Sequence, residues 1–182
     1  MKTLLLGMGN PFLCDDSVGV RLAADLGRAS RGIPDLDIVE ECSAGGLNLL
    51  DVLRGYDRAV VLDSIQTVGG VPGSWCRFGF EALDGTIHLT SIHDVNFATA
   101  IRLGRRVGMH LPSEIHIFAV EVLENRTFSE RMTPELEQAY PRIAREIFQQ
   151  VRSILRACPR PCPEKSGGSQ VRGSRAASER MP

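Results

Sequence analysis

Alternating strand and helix patterns over residues 1–157 predict an α/β sandwich built on a largely parallel sheet. Three observations carry this. Thr3-Leu4-Leu5-Leu6 is a short apolar run stopped by Gly7 and Gly9, as expected of a buried strand. Arg58-Ala59-Val60-Val61-Leu62-Asp63 reads as a central strand ending in a carboxylate. Between and after these runs, apolar residues recur at helical spacing, most clearly from Thr133 onward.

In chain order, residues 16–26 carry Val18, Val20, Leu22, Ala23 and Leu26 as a helical stripe with acidic residues at its start, one of Asp15 or Asp16 being expected as the N-cap. Leu36-Asp37-Ile38-Val39 alternates as a strand, and residues 40–46 form a turn. Leu47, Leu50, Val52 and Leu53 then follow at helical spacing. Residues 72–80, with Trp75 and Phe78, predict a further strand or hairpin. A second strong helix spans 94–107, with Val95, Ala98, Ile101, Leu103 and Val107 inward and Arg102, Arg105 and Arg106 outward. Residues 114–122 alternate as a strand. The last helix starts at Thr133 as N-cap with Pro134 at its first position, and Pro141 is expected to kink or split it.

Composition changes at Cys158. Residues 158–182 contain no Leu, Ile or Phe and carry five basic and two acidic side chains, so they are expected to be a disordered tail beside a single domain of residues 1–157. Cys158 and Cys162 bracket Pro159-Arg160-Pro161, but two thiols are half of the four ligands a structural zinc needs. Five scattered cysteines do not form a secreted disulfide framework. The formal net charge of −1 excludes a generally basic nucleic-acid binder. No apolar run reaches the ~20 residues of a membrane span, and the opening leucines fall short of a signal-peptide core of about 7 apolar residues, so a cytoplasmic protein without a membrane is expected.

Gly7 and Gly9 after the first strand suggest a dinucleotide loop, but Phe12 stands where the third glycine belongs. Asp15 and Asp16 would repel a pyrophosphate at the helix start. The chemistry instead points to the carboxyl ends of the strands, where open α/β sheets bind ligands. Asp63 ends a Val-Val-Leu strand there, Asp16 follows the first strand, and His93 precedes a helix. Two carboxylates and an imidazole suit a borderline divalent ion with open coordination positions. His116 lies within a strand, and His88 and His110 at loop or edge positions. Ser64 lacks a glycine elbow, and Cys14, Cys42 and Cys76 have no paired histidine nearby in sequence.

Leu6-Gly7-Met8-Gly9-Asn10, Asp15-Asp16-Ser17-Val18-Gly19, Leu62-Asp63-Ser64 and Ser91-Ile92-His93-Asp94, in this order, resemble the hydrogenase maturation endopeptidase family over about residues 1–155. The resemblance implies a three-layer α/β domain, with a twisted central sheet and helices on both faces. It implies an endopeptidase that removes the C-terminal extension of a nickel-iron hydrogenase large-subunit precursor after nickel insertion. It assigns Asp16, Asp63 and His93 to recognition of nickel, which is supplied by the substrate and held by the substrate's cysteines. The precursor is then the partner, and a monomer is expected. Two features depart from the family pattern. Glu40-Glu41-Cys42-Ser43-Ala44-Gly45 stands where many members read Asp-Gly-Gly-Thr-Ala-Gly, and the tail is not shared. Two other readings stand beside it: a non-catalytic nickel-binding or metallochaperone module using the same three ligands, and an ordinary metallohydrolase of small peptides.

Overall fold

The computed structural model describes the backbone of residues 1–84 and 92–157, and side chains within that span except at 83–84 and 92–96. The expected tail, 158–182, lies outside the described residues.

Five strands form one sheet: β1 (Thr3–Met8), β2 (Leu36–Cys42), β3 (Arg58–Ile65), β4 (Trp75–Gly79) and β5 (Glu114–Glu121), in the order β2-β1-β3-β5-β4. β2, β1, β3 and β5 pair in parallel, and β4 closes one edge antiparallel to β5, with Trp75 opposite Val120. The ambiguous 72–80 segment is therefore an edge strand. Among the described residues four α-helices cover the sheet: α1 (Val18–Ala29), α2 (Leu49–Leu53), α3 (Ile92–Arg106) and α4 (Pro134–Arg156).

Strand alternation sorts the core into two layers. Leu4, Leu6, Met8, Ala59, Val61, Ile115 and Ile117 pack with α2 and α3. Leu5, Val60, Leu62, Phe118 and Val120 pack with α1 and α4. Strands buried on both faces need continuous apolar runs, which is why Leu4-Leu5-Leu6 and Val60-Val61-Leu62 carry no polar alternation.

Three local expectations change. α1 begins at Val18, after a 3-10 turn at Cys14–Ser17, and neither Asp15 nor Asp16 is its N-cap; the N-cap is Ser17, without a side-chain cap. α4 is one helix rather than two, with the Pro141 ring on its exposed side and the opposite stripe of Leu136, Tyr140, Ile143 and Ile147 buried. Thr133 caps it as expected, its Oγ1 accepting from Leu136 N. In α3, Ala98 and Ile101 are buried but Leu103 and Val107 are exposed. The inward position is Gly104, where an added Cβ would press on Leu111 and Leu50. A glycine gives no hydrophobic signal, so the stripe reads one residue out of place.

At the amino-terminal edge of the sheet, the buried Arg58 holds the end of α4. Its Nη1 donates to Ile154 O at 2.7 Å, Nη2 to Ala157 O at 3.3 Å, and Nε to Glu114 Oε2 at 2.8 Å. The guanidinium thus meets carbonyls at the helix C-terminus, one of which, Ile154 O, also accepts from Ala157 N. No helix among the described residues is long and apolar enough to cross a membrane.

Candidate functional site

The site forms where β1 and β3 end and α1 begins. After β1 the chain turns at Gly9, whose φ of +124° is a conformation that L side chains rarely adopt; a Cβ there would strike the Asp16 backbone. Gly19, in the first turn of α1, rests on the carbonyls of Met8 and Leu62 with no room for a Cβ. These glycines let the helix start close over the strand ends. Their function is backbone approach, not a phosphate cradle.

That closeness brings Asp16 against Ser64, the residue after Asp63 in β3. Asp63 is buried, at 4% exposure, and its Oδ1 accepts from Ser64 N at 2.8 Å. Successive residues of β3 face opposite sides of the sheet, so Ser64 points to the α1 layer. There its Oγ donates to Asp16 Oδ1 at 2.6 Å. Asn10 N donates to Asp16 Oδ2 at 2.8 Å. Ser64 therefore contacts both carboxylates, one through its hydroxyl and one through its backbone N–H. Sequence reasoning had weighed Ser64 only as a nucleophile. Asn10 was also missed, although its place straight after the Gly7-Met8-Gly9 turn is the visible signal.

His93 lies in the first turn of α3, and its side chain is outside the described residues. α3 runs back to the amino-terminal edge of the sheet, where Gly55 N donates to His110 O, so its first turn is at the opposite end from that edge. Among the described residues no group of three or more His, Cys, Asp or Glu is arranged to hold a metal ion.

Asp15 is fully buried and serves a different purpose. Its Oδ1 accepts from Thr133 N at 2.6 Å, and its Oδ2 accepts from Thr133 Oγ1 at 3.0 Å and from Leu123 N and Glu124 N at 3.1 Å each. It straps the β5–α4 loop to the start of α1. These contacts are more than 100 residues away along the chain, so no local motif announces them.

The other candidates belong to structural networks. His116 Nε2 donates to Glu114 Oε1 at 2.8 Å while Arg77 Nη2 lies 3.2 Å from Nδ1. Burial pushes the His116 pKa down, in keeping with a neutral ring that accepts from Arg77. His110 pairs with Asp57. Burial raises the thiol pKa of Cys14, Cys42 and Cys76, and a neighbouring carboxylate adds to this at Cys14 (Asp15) and Cys76 (Glu121). That is the opposite of an activated thiolate. His88 lies outside the described residues.

Comparison with known proteins agrees with this architecture. The model of the hydrogenase maturation protease family matches residues 20–150. The chain is 26% identical to the hydrogenase 2 maturation protease of Escherichia coli strain K12 over 146 residues, covering 76% of this chain and 88% of that one. In fold it is similar to the hydrogenase maturating endopeptidase HybD of E. coli (TM-score 0.69, 23% identity, 85% of this chain and 94% of that one). It is also similar to the [NiFe] hydrogenase maturation protease HybD of Thermococcus kodakarensis (TM-score 0.62, 21% identity, 83% and 99%). With a family match over most of the folded region and the same mixed five-stranded architecture, the chain belongs to the hydrogenase maturation protease family.

Proposed function

We propose that this protein is the endopeptidase that removes the C-terminal extension of a nickel-iron hydrogenase large-subunit precursor, and that it reads the nickel already seated in that substrate through Asp16, Asp63 and His93. The observation that supports the reading best is that Ser64 links to Asp16 through its hydroxyl and to Asp63 through its backbone N–H at the carboxyl-end edge of the sheet. Asp63 points to the sheet face that α3 covers, and His93 is in the first turn of α3.

Carboxylate and imidazole are borderline-to-hard ligands, suited to a divalent ion whose remaining positions are filled by substrate thiolates. In this arrangement the nickel is part of the substrate. The enzyme's three side chains bind it, and so fix where the precursor's scissile peptide lies. A divalent ion at that place polarises a carbonyl or activates a water. Water then adds to the carbonyl carbon, the C–N bond breaks, and the leaving amine takes a proton.

The test is incubation of the purified protein with nickel-loaded and nickel-free precursor, followed by intact-mass measurement. Shortening of the nickel-loaded form alone supports the reading. Binding without cleavage would instead identify a metallochaperone. Cleavage of unrelated peptides with added zinc would identify a general metallohydrolase.

A further inference from the structure

Four charged side chains are buried among the described residues: Asp15, Arg58, Asp63 and Glu121. The first three belong to the strap on the β5–α4 loop, the anchor of α4 and the site. Glu121, 7% exposed, belongs to none of these. It is the last residue of β5 and stands in register with Ile65 of β3, while Asp63 pairs with Ala119. Val61 and Ile117 pack on the layer of α2 and α3, so by strand alternation Asp63 and Glu121 share that same face. Two buried carboxylates are thus diagonal neighbours on adjacent strands at the carboxyl-end edge of the sheet.

Glu121 holds the β3–β4 connection from both ends. Its Oε1 accepts from Thr67 N at 2.6 Å and its Oε2 from Thr67 Oγ1 at 2.9 Å. Gly70, whose N donates to Thr67 O at 3.1 Å, lies so near the carboxylate that a Cβ there would overlap it. At the other end, Gly73 N donates to Glu121 O and Glu121 N to Ser74 O, each at 2.9 Å. Two further bonds tie the exit of β3 to the chain after β5: Val122 N donates to Ile65 O at 2.9 Å and Gln66 Nε2 to Leu123 O at 2.8 Å. Thr67 is three residues beyond Ser64, so this clamp closes directly behind Asp63 and Ser64.

A buried carboxylate is costly unless it is hydrogen-bonded, and bonds of this kind fix a geometry that apolar packing leaves loose. Building on the protease reading above, we infer that Glu121 is a positioning residue for the processing reaction. It acts on neither nickel nor peptide directly. Through Thr67 it fixes the end of β3, and so holds Asp63 and Ser64 at the place where the substrate meets them. The role needs hydrogen-bonding partners for Thr67 rather than negative charge. A glutamine keeps a carbonyl for Thr67 N and an amide that donates to the Thr67 hydroxyl. Alanine offers neither, and leaves the Thr67 N–H without its acceptor.

The experiment compares wild type with Glu121→Ala, Glu121→Gln and Thr67→Val, and with Glu114→Ala at the opposite end of β5 as a control for lost stability. It measures processing of nickel-loaded precursor well below every thermal midpoint and, without substrate, amide hydrogen exchange of residues 63–67. We expect Glu121→Ala to lower kcat/KM about tenfold and to speed exchange at 63–67, since a small misplacement of reacting groups is costly. Glu121→Gln should restore both to within about twofold of wild type, and Glu114→Ala should process at the wild-type rate whatever its midpoint. Should Glu121→Ala fail to fold, Thr67→Val, which keeps the N–H bond and loses the other, should still lower kcat/KM about threefold. An unaltered Thr67→Val would then overturn the inference. So would wild-type processing by Glu121→Ala, a Glu121→Gln as impaired as Glu121→Ala, or an equal loss in Glu114→Ala. If wild type leaves the precursor uncut, the protease reading falls and exchange decides alone. Faster exchange in Glu121→Ala then upholds the clamp, and equal rates overturn it.

Discussion

Asp15 and Thr133 clasp each other across the molecule, the Thr133 N–H donating to one carboxylate oxygen at 2.6 Å and its hydroxyl to the other at 3.0 Å. Asp16, its neighbour, instead faces Ser64 and the strand ends. Two adjacent aspartates thus have different surroundings: Asp15 fixes the frame, and Asp16 is the one that the proposed function assigns to the substrate.

Asp15→Ala should be the more damaging substitution for stability. It strands several donors in a buried place, and leaving such groups unsatisfied costs about 1–3 kcal/mol apiece. We expect a loss of about 3 kcal/mol in urea unfolding and a fall of about 6–12 °C in thermal midpoint for a domain of this size. A change under 1 kcal/mol would show that the β5–α4 loop is held by other contacts.

Ser64→Ala removes the hydroxyl that orients Asp16 but keeps the backbone N–H to Asp63. Processing should fall about tenfold in kcat/KM, while stability changes by roughly 1 kcal/mol or less, the usual net worth of one hydrogen bond. A kcat/KM equal to wild type would mean that Asp16 needs no such support.

His116 links stability to pH. Burial lowers its folded pKa below the usual 6.5, despite the opposing pull of Glu114. Between the unfolded and folded values the unfolded chain binds the extra proton. The His116 contribution is therefore present above about pH 6.5 and is lost as pH falls toward the folded value. The thermal midpoint should decline on acidification through this window, and His116→Gln should flatten the decline. An identical pH dependence in the variant would refute the assignment.

Truncation after Ala157 keeps the carbonyls that Arg58 binds at the end of α4. Residues 158–182 offer no Leu, Ile or Phe for docking, and their net positive charge is screened over ~8 Å at physiological salt. Midpoint and processing rate should match those of the full chain at low and at high salt. A midpoint lower by several degrees, or processing lost only at low salt, would show that the tail contributes.

Much of the fold was legible because its signals are local. The unbroken apolar runs of β1 and β3 announce strands buried on both faces, and Thr133-Pro134 announces the start of α4. Asp63 stood out because a carboxylate ending such a run has no packing reason to be there. The failures are non-local or silent. Pro141 predicts a kink or a split, yet α4 is not divided there, and the buried stripe on its opposite side continues past the ring. Gly104 carries no hydrophobic label though it marks α3's inward face. Asp15 looked like a cap because its partners are distant, and Ser64 looked idle because its bond to Asp16 spans 48 residues.

The central claim is that Asp16, Asp63 and His93 act together on nickel held by the substrate. Its most direct test is the intact mass of nickel-loaded precursor after incubation with wild type, Asp16→Asn, Asp63→Asn and His93→Ala, each first shown to melt near wild type. The account predicts a shortened precursor with wild type alone. Unimpaired shortening by any of the three variants would contradict it, by removing that residue from the site.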